Sequence, residues 1–255
     1  MDCPEKVDVL NDAIRSRTRI GVLGPFTNSN LEPDMALLQP PETSVHFTRI
    51  GGYDAKEIPG SDQMTGMGKA SLEEPLYLIS GLRPAVVLYA CTSATLAHGA
   101  SFDKQLAEKI KTASGAISLT AAGSLAAALK VMDVKKIGFA SPYLGEVNNQ
   151  AMSFFHNEGI ATVNCADIGR PLGNYGQGEL SPDEVCELAL RADHAEAEAI
   201  VLACTDMRAV EVIEKVERAL NKPIVTSNQA MMFCAMQALG ISRHATAPGR
   251  LFNFL

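Results

Sequence analysis

Short apolar, β-rich runs alternate along the chain with longer stretches rich in Ala, Leu, Glu and Lys. The runs Arg19–Gly24, Val45–Ile50, Ala85–Ala90, Ala116–Thr120, Lys136–Ala140, Ala161–Cys165, Ala199–Ala203 and Pro223–Thr226 are predicted strands. Helices are predicted between them near 70–82, 101–113, 121–132, 145–158, 181–194, 207–220 and 228–239. The strand runs are apolar without strict alternation, as expected of strands covered on both faces. Strands alternating with helical stretches of this length build parallel sheets through βαβ units. The expected class is therefore α/β.

The order of the runs repeats. Arg19-Ile20-Gly21-Val22-Leu23-Gly24-Pro25-Phe26 is echoed by Lys136-Ile137-Gly138-Phe139-Ala140-Ser141-Pro142-Tyr143. Ala85-Val86-Val87-Leu88-Tyr89-Ala90-Cys91-Thr92 is echoed by Ala199-Ile200-Val201-Leu202-Ala203-Cys204-Thr205. Ile137 comes 117 residues after Ile20 and Cys204 comes 113 after Cys91, so the two echoes keep nearly the same offset. A repeat of four strands predicts two pseudosymmetric, doubly wound parallel-sheet lobes rather than an eight-fold barrel. The first lobe is expected over 1–120, with the C-terminal segment 228–255 packing back on it, and the second over 121–227. Open parallel sheets bind ligands beyond the carboxyl ends of their strands. Cys91, Cys204, Pro25-Phe26 and Pro142-Tyr143 all fall at such ends, so a cleft between the lobes is the expected active site.

Composition narrows the partners. The 255 residues are 47% apolar and only 20% charged, with a net charge of −7 and no dense Lys/Arg cluster. Neither nucleic acid nor an anionic membrane is an expected partner. The opening residues, MDCPEKVDVLND, carry no apolar core of a signal peptide. The longest apolar runs, such as Ala85 to Cys91, fall far short of the roughly 20 residues of a spanning helix. A soluble, cytoplasmic protein is expected. Six cysteines are spread along the chain without a CxxC pair, and the five histidines are scattered. No disulfide framework or zinc site is expected. Neither GxGxxG nor a P-loop occurs, so no dinucleotide or phosphate loop is read, and the expected cofactor is none.

Cys91 and Cys204 differ from the other four cysteines by their matched positions and by the threonine directly after each. Cys3, Cys165, Cys186 and Cys234 read as space filling, the usual role of a buried cysteine. A thiol at a helix N-terminus is expected to titrate below the ordinary value of about 8.5, because unpaired backbone N–H groups stabilise the thiolate. The same N–H groups, with the hydroxyls of Thr92, Ser93 and Thr205, suit a substrate carboxylate. Two thiols flanking one carbon can run a racemisation, one removing a proton while the other supplies it. Alternatively one thiolate adds to an activated double bond, the resulting single bond rotates, and elimination gives the other geometric isomer.

These residues together resemble the aspartate/glutamate racemase superfamily, in its maleate isomerase and arylmalonate decarboxylase branch. The resemblance runs from Ile20 to the C-terminus. It implies a pseudosymmetric two-lobed fold without metal or organic cofactor, and a family whose members often form homodimers. Maleate isomerases carry a P-S-S-N segment where this chain has Pro25-Phe26-Thr27-Asn28, which implies that Asn28 binds a carboxylate. Their S-P-Y turn is present as Ser141-Pro142-Tyr143, which implies a substrate contact for Tyr143. A family asparagine in the second lobe falls on Asn174, in Gly173-Asn174-Tyr175-Gly176. Cys91 is then the nucleophile and Cys204 its acid/base partner. The decarboxylases usually keep only the second cysteine, so retention of both favours isomerisation or racemisation. Phe26, Asp206-Met207-Arg208 and Thr226-Ser227-Asn228-Gln229 depart from maleate isomerases and look more like the ectoine-utilisation members, whose substrates are cyclic or amino-substituted carboxylates.

Arg208, at the start of a predicted helix, is either a carboxylate clamp or an exposed ion pair. His98, seven residues after Cys91, lies two helical turns away and reads as a surface histidine. The breaker-rich segment Gly60–Gly68 is either a loop that closes over the site or an ordinary connection. The expected function is a cofactor-independent, two-cysteine isomerase of a small carboxylate, maleate isomerase-like. Racemisation or epimerisation is the alternative, then decarboxylation, then a ligand-binding protein without turnover.

Overall fold

The computed structural model describes residues 17–51, 66–68, 70–173, 175–243 and 247–255. The predicted strands all form: β1 (Thr18–Pro25), β2 (Thr43–Ile50), β3 (Val86–Tyr89), β4 (Ile117–Thr120), β5 (Lys136–Ala140), β6 (Ala161–Ala166), β7 (Ala199–Leu202) and β8 (Ile224–Thr226). The helices are α1 (Leu31–Leu38), α2 (Glu73–Ser80), α3 (Thr92–Ser114), α4 (Ala121–Val131), α5 (Gly145–Asn157), α6 (Pro182–Arg191), α7 (Ile213–Leu220) and α8 (Ser227–Leu239).

The strands make two four-stranded parallel sheets with the same order, β2-β1-β3-β4 and β6-β5-β7-β8. Ile20 aligns with both Val45 and Val86, and Ile137 aligns with both Thr162 and Ala199, so the repeat seen in sequence is a repeat in register. In each sheet the chain leaves the first strand toward one edge and the third toward the other. The crevice at that switch lies between β1 and β3 in one lobe and between β5 and β7 in the other. The equivalent glycines Gly21 and Gly138 let helices approach the sheets. A Cβ on Gly21 would stand 2.7 Å from Ile79 Cγ1, and one on Gly138 would stand 2.2 Å from the Ala192 carbonyl oxygen.

Three helices differ from expectation. α1 is new: its buried face is Leu31, Asp34, Met35 and Leu38, a helical spacing hidden because one position is an aspartate. α3 begins at Thr92, well before the predicted helix near 101, and breaks at Gly99, whose φ of 81° and ψ of 173° interrupt it. Only glycine adopts that region readily, so the sequence pattern restarts there. The helix predicted from 207 begins only at Ile213, after a 3₁₀ turn at Val210–Val212. Residues 203–209 are irregular because Asp206 accepts a hydrogen bond from Ser29 of the other lobe.

α8 is buried on nearly all sides from Ser227 to Met236. It packs against α1 and β4 of the first sheet and against α4 and β8. Thr226 and Gln229 form a capping box at its start, and Ser181 and Glu184 form one at α6. Among the described residues no helix is long and apolar enough to cross a membrane.

Candidate active site

β3 and β7 end at equivalent points, and each cysteine comes two residues later. Cys91 caps α3 in an extended conformation, with no side chain capping the helix. Its Sγ lies 3.8 Å from Ser93 Oγ and beside the Ala94 backbone N–H, which favours its thiolate. Cys204 opens an irregular loop, so no α-helix points at it, contrary to the predicted strand-to-helix turn. Its Sγ accepts the Asp206 backbone N–H at 3.4 Å and the Tyr143 hydroxyl at 3.3 Å. Both thiols line one cleft with about 560 Å³ of atom-free space, solvent at its mouth included.

The first lobe supplies Asn28, Thr92 and Ser93 to the cleft, and the second supplies Tyr143 and Thr205. Asn28 is held rigidly: Oδ1 accepts the N–H groups of Asn30 (3.1 Å) and Leu31 (2.9 Å), and Nδ2 donates to Thr205 Oγ1 at 3.0 Å. One amide hydrogen of Asn28 is left for a ligand. Thr205 Oγ1 in turn donates to the Ala90 carbonyl at 3.0 Å, and Thr92 Oγ1 donates to Ser227 Oγ at 2.9 Å. These two hydroxyls are braces that spend their protons on the protein. Tyr143 is set by its own turn: Ser141 Oγ accepts the Tyr143 N–H and donates to Asn148 Oδ1, while Asn148 Nδ2 donates to the Tyr143 carbonyl. The tyrosine reaches Cys204 and also Ser93 of the opposite lobe. Asn174 lies outside the described residues, as do Cys3 and residues 60–65 of the breaker-rich segment.

Pro25, Phe26 and Met67 form an apolar wall of the cleft, and Gln177 and Asp206 add to its polar side. Sequence reasoning missed Met67, Gln177 and Asp206 as site residues. Their segments carried a signal: Met67 sits in the breaker-rich stretch, Gln177 in the turn that holds Asn174, and Asp206 two residues after Cys204. Which side chain of each turn faces inward is a matter of loop geometry. Tyr89 positions Met67 by donating to its carbonyl at 3.4 Å. Arg208 is not among the cleft residues; it pairs with Glu211 at 2.7 and 2.9 Å on the surface. The ion-pair reading therefore holds and the clamp does not. His98 stacks on Phe102 with centroids 4.1 Å apart. Cys165, Cys186 and Cys234 pack in the main hydrophobic core.

The expected lowering of the thiol pKa does not occur. Burial pushes Cys91 up from the ordinary thiol range, against the Ala94 N–H and Ser93, which pull it down. Burial, then the Asp206 carboxylate, push Cys204 up to about 12 despite the Tyr143 hydroxyl. Desolvation of a thiolate at 5% and 4% residue exposure outweighs a few N–H dipoles. Both sulfurs therefore carry protons at neutral pH. Tyr143 is likewise raised well above its ordinary value by burial and the nearby thiols, so it stays a donor. Among the described residues no group of three or more His, Cys, Asp or Glu is placed to hold a metal ion.

Residues 80–252 match the model of the arylmalonate decarboxylase family. The chain belongs to that family. The family's arylmalonate decarboxylase from Bordetella bronchiseptica is 27% identical over 66% of this chain and 71% of its own length. A maleate isomerase from Geobacillus stearothermophilus is 24% identical over 92% of this chain and 97% of its own. Among solved structures, a Nocardia farcinica maleate cis-trans isomerase mutant with a covalently bound succinylcysteine intermediate superposes with a TM-score of 0.83. It is 21% identical, covering 92% of this chain and 98% of that one. The fold is shared with these proteins, and the chain lies in the maleate isomerase and arylmalonate decarboxylase branch of the racemase-like α/β proteins.

Proposed function

We propose that the chain is a two-cysteine isomerase of a small unsaturated carboxylate, acting as a maleate cis-trans isomerase does. The observation that carries this reading is the placement of Cys91 and Cys204 in one small cleft, one from each lobe, each with hydrogen-bond donors at its sulfur. A decarboxylase needs one acid to protonate a carbanion, whereas geometric isomerisation uses both a nucleophile and an acid. Similarity to maleate isomerases over 92% of the chain supports the same choice.

The surroundings of each sulfur assign its role. Cys91, at the N-terminus of α3 beside the Ala94 N–H, is the thiol that the helix end supports as an anion, and it is the nucleophile. Cys204, held protonated, is the acid. Cys91 first releases its proton to water; the thiolate Sγ then adds to one alkene carbon, and the displaced π pair takes the Cys204 proton at the neighbouring carbon. The bond between them is then single and rotates. Cys204 thiolate removes a proton from that carbon, the double bond re-forms and the Cys91 C–S bond breaks. Asn28 with its spare amide hydrogen and the Ser93 hydroxyl hold a carboxylate, as does Asn174 at the family position. Phe26 and Met67 shape the apolar side.

Incubation with maleate, monitored by NMR in deuterated buffer, should yield fumarate. Cys91→Ser and Cys204→Ser should each lower turnover by roughly 10³-fold or more without unfolding the protein, a loss in line with removal of a covalent nucleophile or its acid partner. Exchange of solvent deuterium into the α-carbon of a chiral carboxylate, with loss of optical activity and no alkene isomerisation, would instead establish the racemase.

A further inference from the structure

We propose that Asp206 is a positioning residue for Cys204: one carboxylate that locks the loop after β7 onto the start of α1 and keeps the neighbouring sulfur in its proton-bearing form. Four contacts build the lock. Asp206 Oδ1 accepts the backbone N–H groups of Ser29 (2.8 Å) and Asn30 (3.1 Å). Asn30 Nδ2 donates to the Asp206 carbonyl at 2.8 Å and to the Gly178 carbonyl at 3.0 Å. These bonds span the cleft, joining lobe one at 29–30 to two loops of lobe two. Asp206 Oδ1 takes up the Ser29 N–H and shares the Asn30 N–H with Asn28 Oδ1.

The same residue turns its own N–H to Cys204 Sγ and lines the cleft beside it, 7% exposed. Burial raises the Asp206 carboxyl above its ordinary value, and the Ser29 and Asn30 donors oppose that rise and favour the carboxylate. Arg208, two residues on, is spent on Glu211 at the surface. Of the titratable groups that reach Cys204, Asp206 and Cys91 push its pKa up, Asp206 the more strongly, and the Tyr143 hydroxyl pulls it down. A negative charge at that distance opposes ionisation of the thiol. Once the sulfur has given up its proton, the same repulsion favours taking it back, which drives the return step of the cycle. The backbone N–H at Cys204 limits the cost of the transient thiolate. The two cysteines are related by an internal repeat, and their asymmetry comes from the second residue after each: Ser93 in the first lobe and Asp206 in the second.

The inference rests on the acid role proposed for Cys204, but its test needs no turnover. Asp206→Asn keeps an oxygen for Ser29 and Asn30 and removes the charge; Asp206→Ala removes both. Iodoacetamide labelling rates at a fixed pH of about 9, below the Cys204 titration, report the thiolate fraction of each thiol separately when modified cysteines are located by peptide mass mapping. In either folded variant the Cys204 rate should rise about tenfold, the scale of change a neighbouring charge produces, while the Cys91 rate in Asp206→Asn stays put. A wild-type Cys204 rate in a folded variant, or an equal rise at both cysteines in Asp206→Asn, would overturn the proposal. Inactivity toward maleate with the Cys204 rise intact would sink the isomerase reading alone.

Discussion

Cys91 and Cys204 are as covered as core cysteines, and only their neighbours distinguish them from Cys186 or Cys234. At Cys204 the deciding neighbour is Tyr143, whose hydroxyl donates to the sulfur at 3.3 Å. A hydrogen bond to a charged group is worth about 1.5–3 kcal/mol, roughly 10- to 100-fold in a rate that passes through that charge. Tyr143→Phe should therefore leave the fold intact and slow Cys204 alkylation at a fixed alkaline pH by about that factor, read by mass spectrometry. Unchanged alkylation would mean that the hydroxyl serves only to close the cleft. The cysteines and Tyr143 were legible from the repeat and the S-P-Y turn. The direction of the thiol shifts was not, because it depends on how much water reaches the sulfur. Sequence shows the helix start beside Cys91, and only packing shows the desolvation that outweighs it.

At the scale of elements, strands were easier to read than helices. A strand buried on both faces needs only a short apolar run, whereas a helix announces itself through periodicity, which α1 lost by placing Asp34 on its inner face. α3 was misread because Gly99 divides it. The matched glycines in β1 and β5 make an element-scale test. At Gly21 an added methyl stands 2.7 Å from a side-chain carbon of Ile79; at Gly138 it stands 2.2 Å from the backbone carbonyl oxygen of Ala192, a closer clash with an atom that no rotamer change can move. Gly138→Ala should lower stability by about 1–3 kcal/mol, the usual cost of overpacking, and Gly21→Ala by less. Denaturant unfolding of the two variants checks the order, and a larger loss at Gly21 would show that the helix behind β5 yields more easily than the side chain behind β1.

Across the whole molecule, the lobes are joined by buried polar groups. Asn228 of α8 donates to Asp34 of α1 at 2.7 Å and to the Thr205 carbonyl at 3.0 Å. Burial, despite the Asn228 hydrogen bond, pushes Asp34 up to about 7, with smaller upward contributions from Glu211 and Asp206. Its folded pKa lies above the unfolded value near 3.8, so its contribution is fully present at low pH and is lost as pH rises through about 7. Asp103, raised by burial to about 6, adds to the same trend. Asp34→Asn, which keeps the acceptor, should gain Tm relative to the wild type at about pH 8 and gain little at about pH 4, near the unfolded pKa where the loss has only begun. An equal Tm difference at both values would place the cost of Asp34 outside its ionisation. The sequence by itself determined the class of fold, the two-fold repeat and the pair of thiols, because apolar runs and their order are local and survive in one dimension. Only the tertiary structure decided which turn residues face the cleft, that Asp206 and Asn30 fasten the lobes, and that both sulfurs rest protonated. Those outcomes depend on distances between segments up to 194 residues apart, and on exclusion of water, which no local pattern encodes.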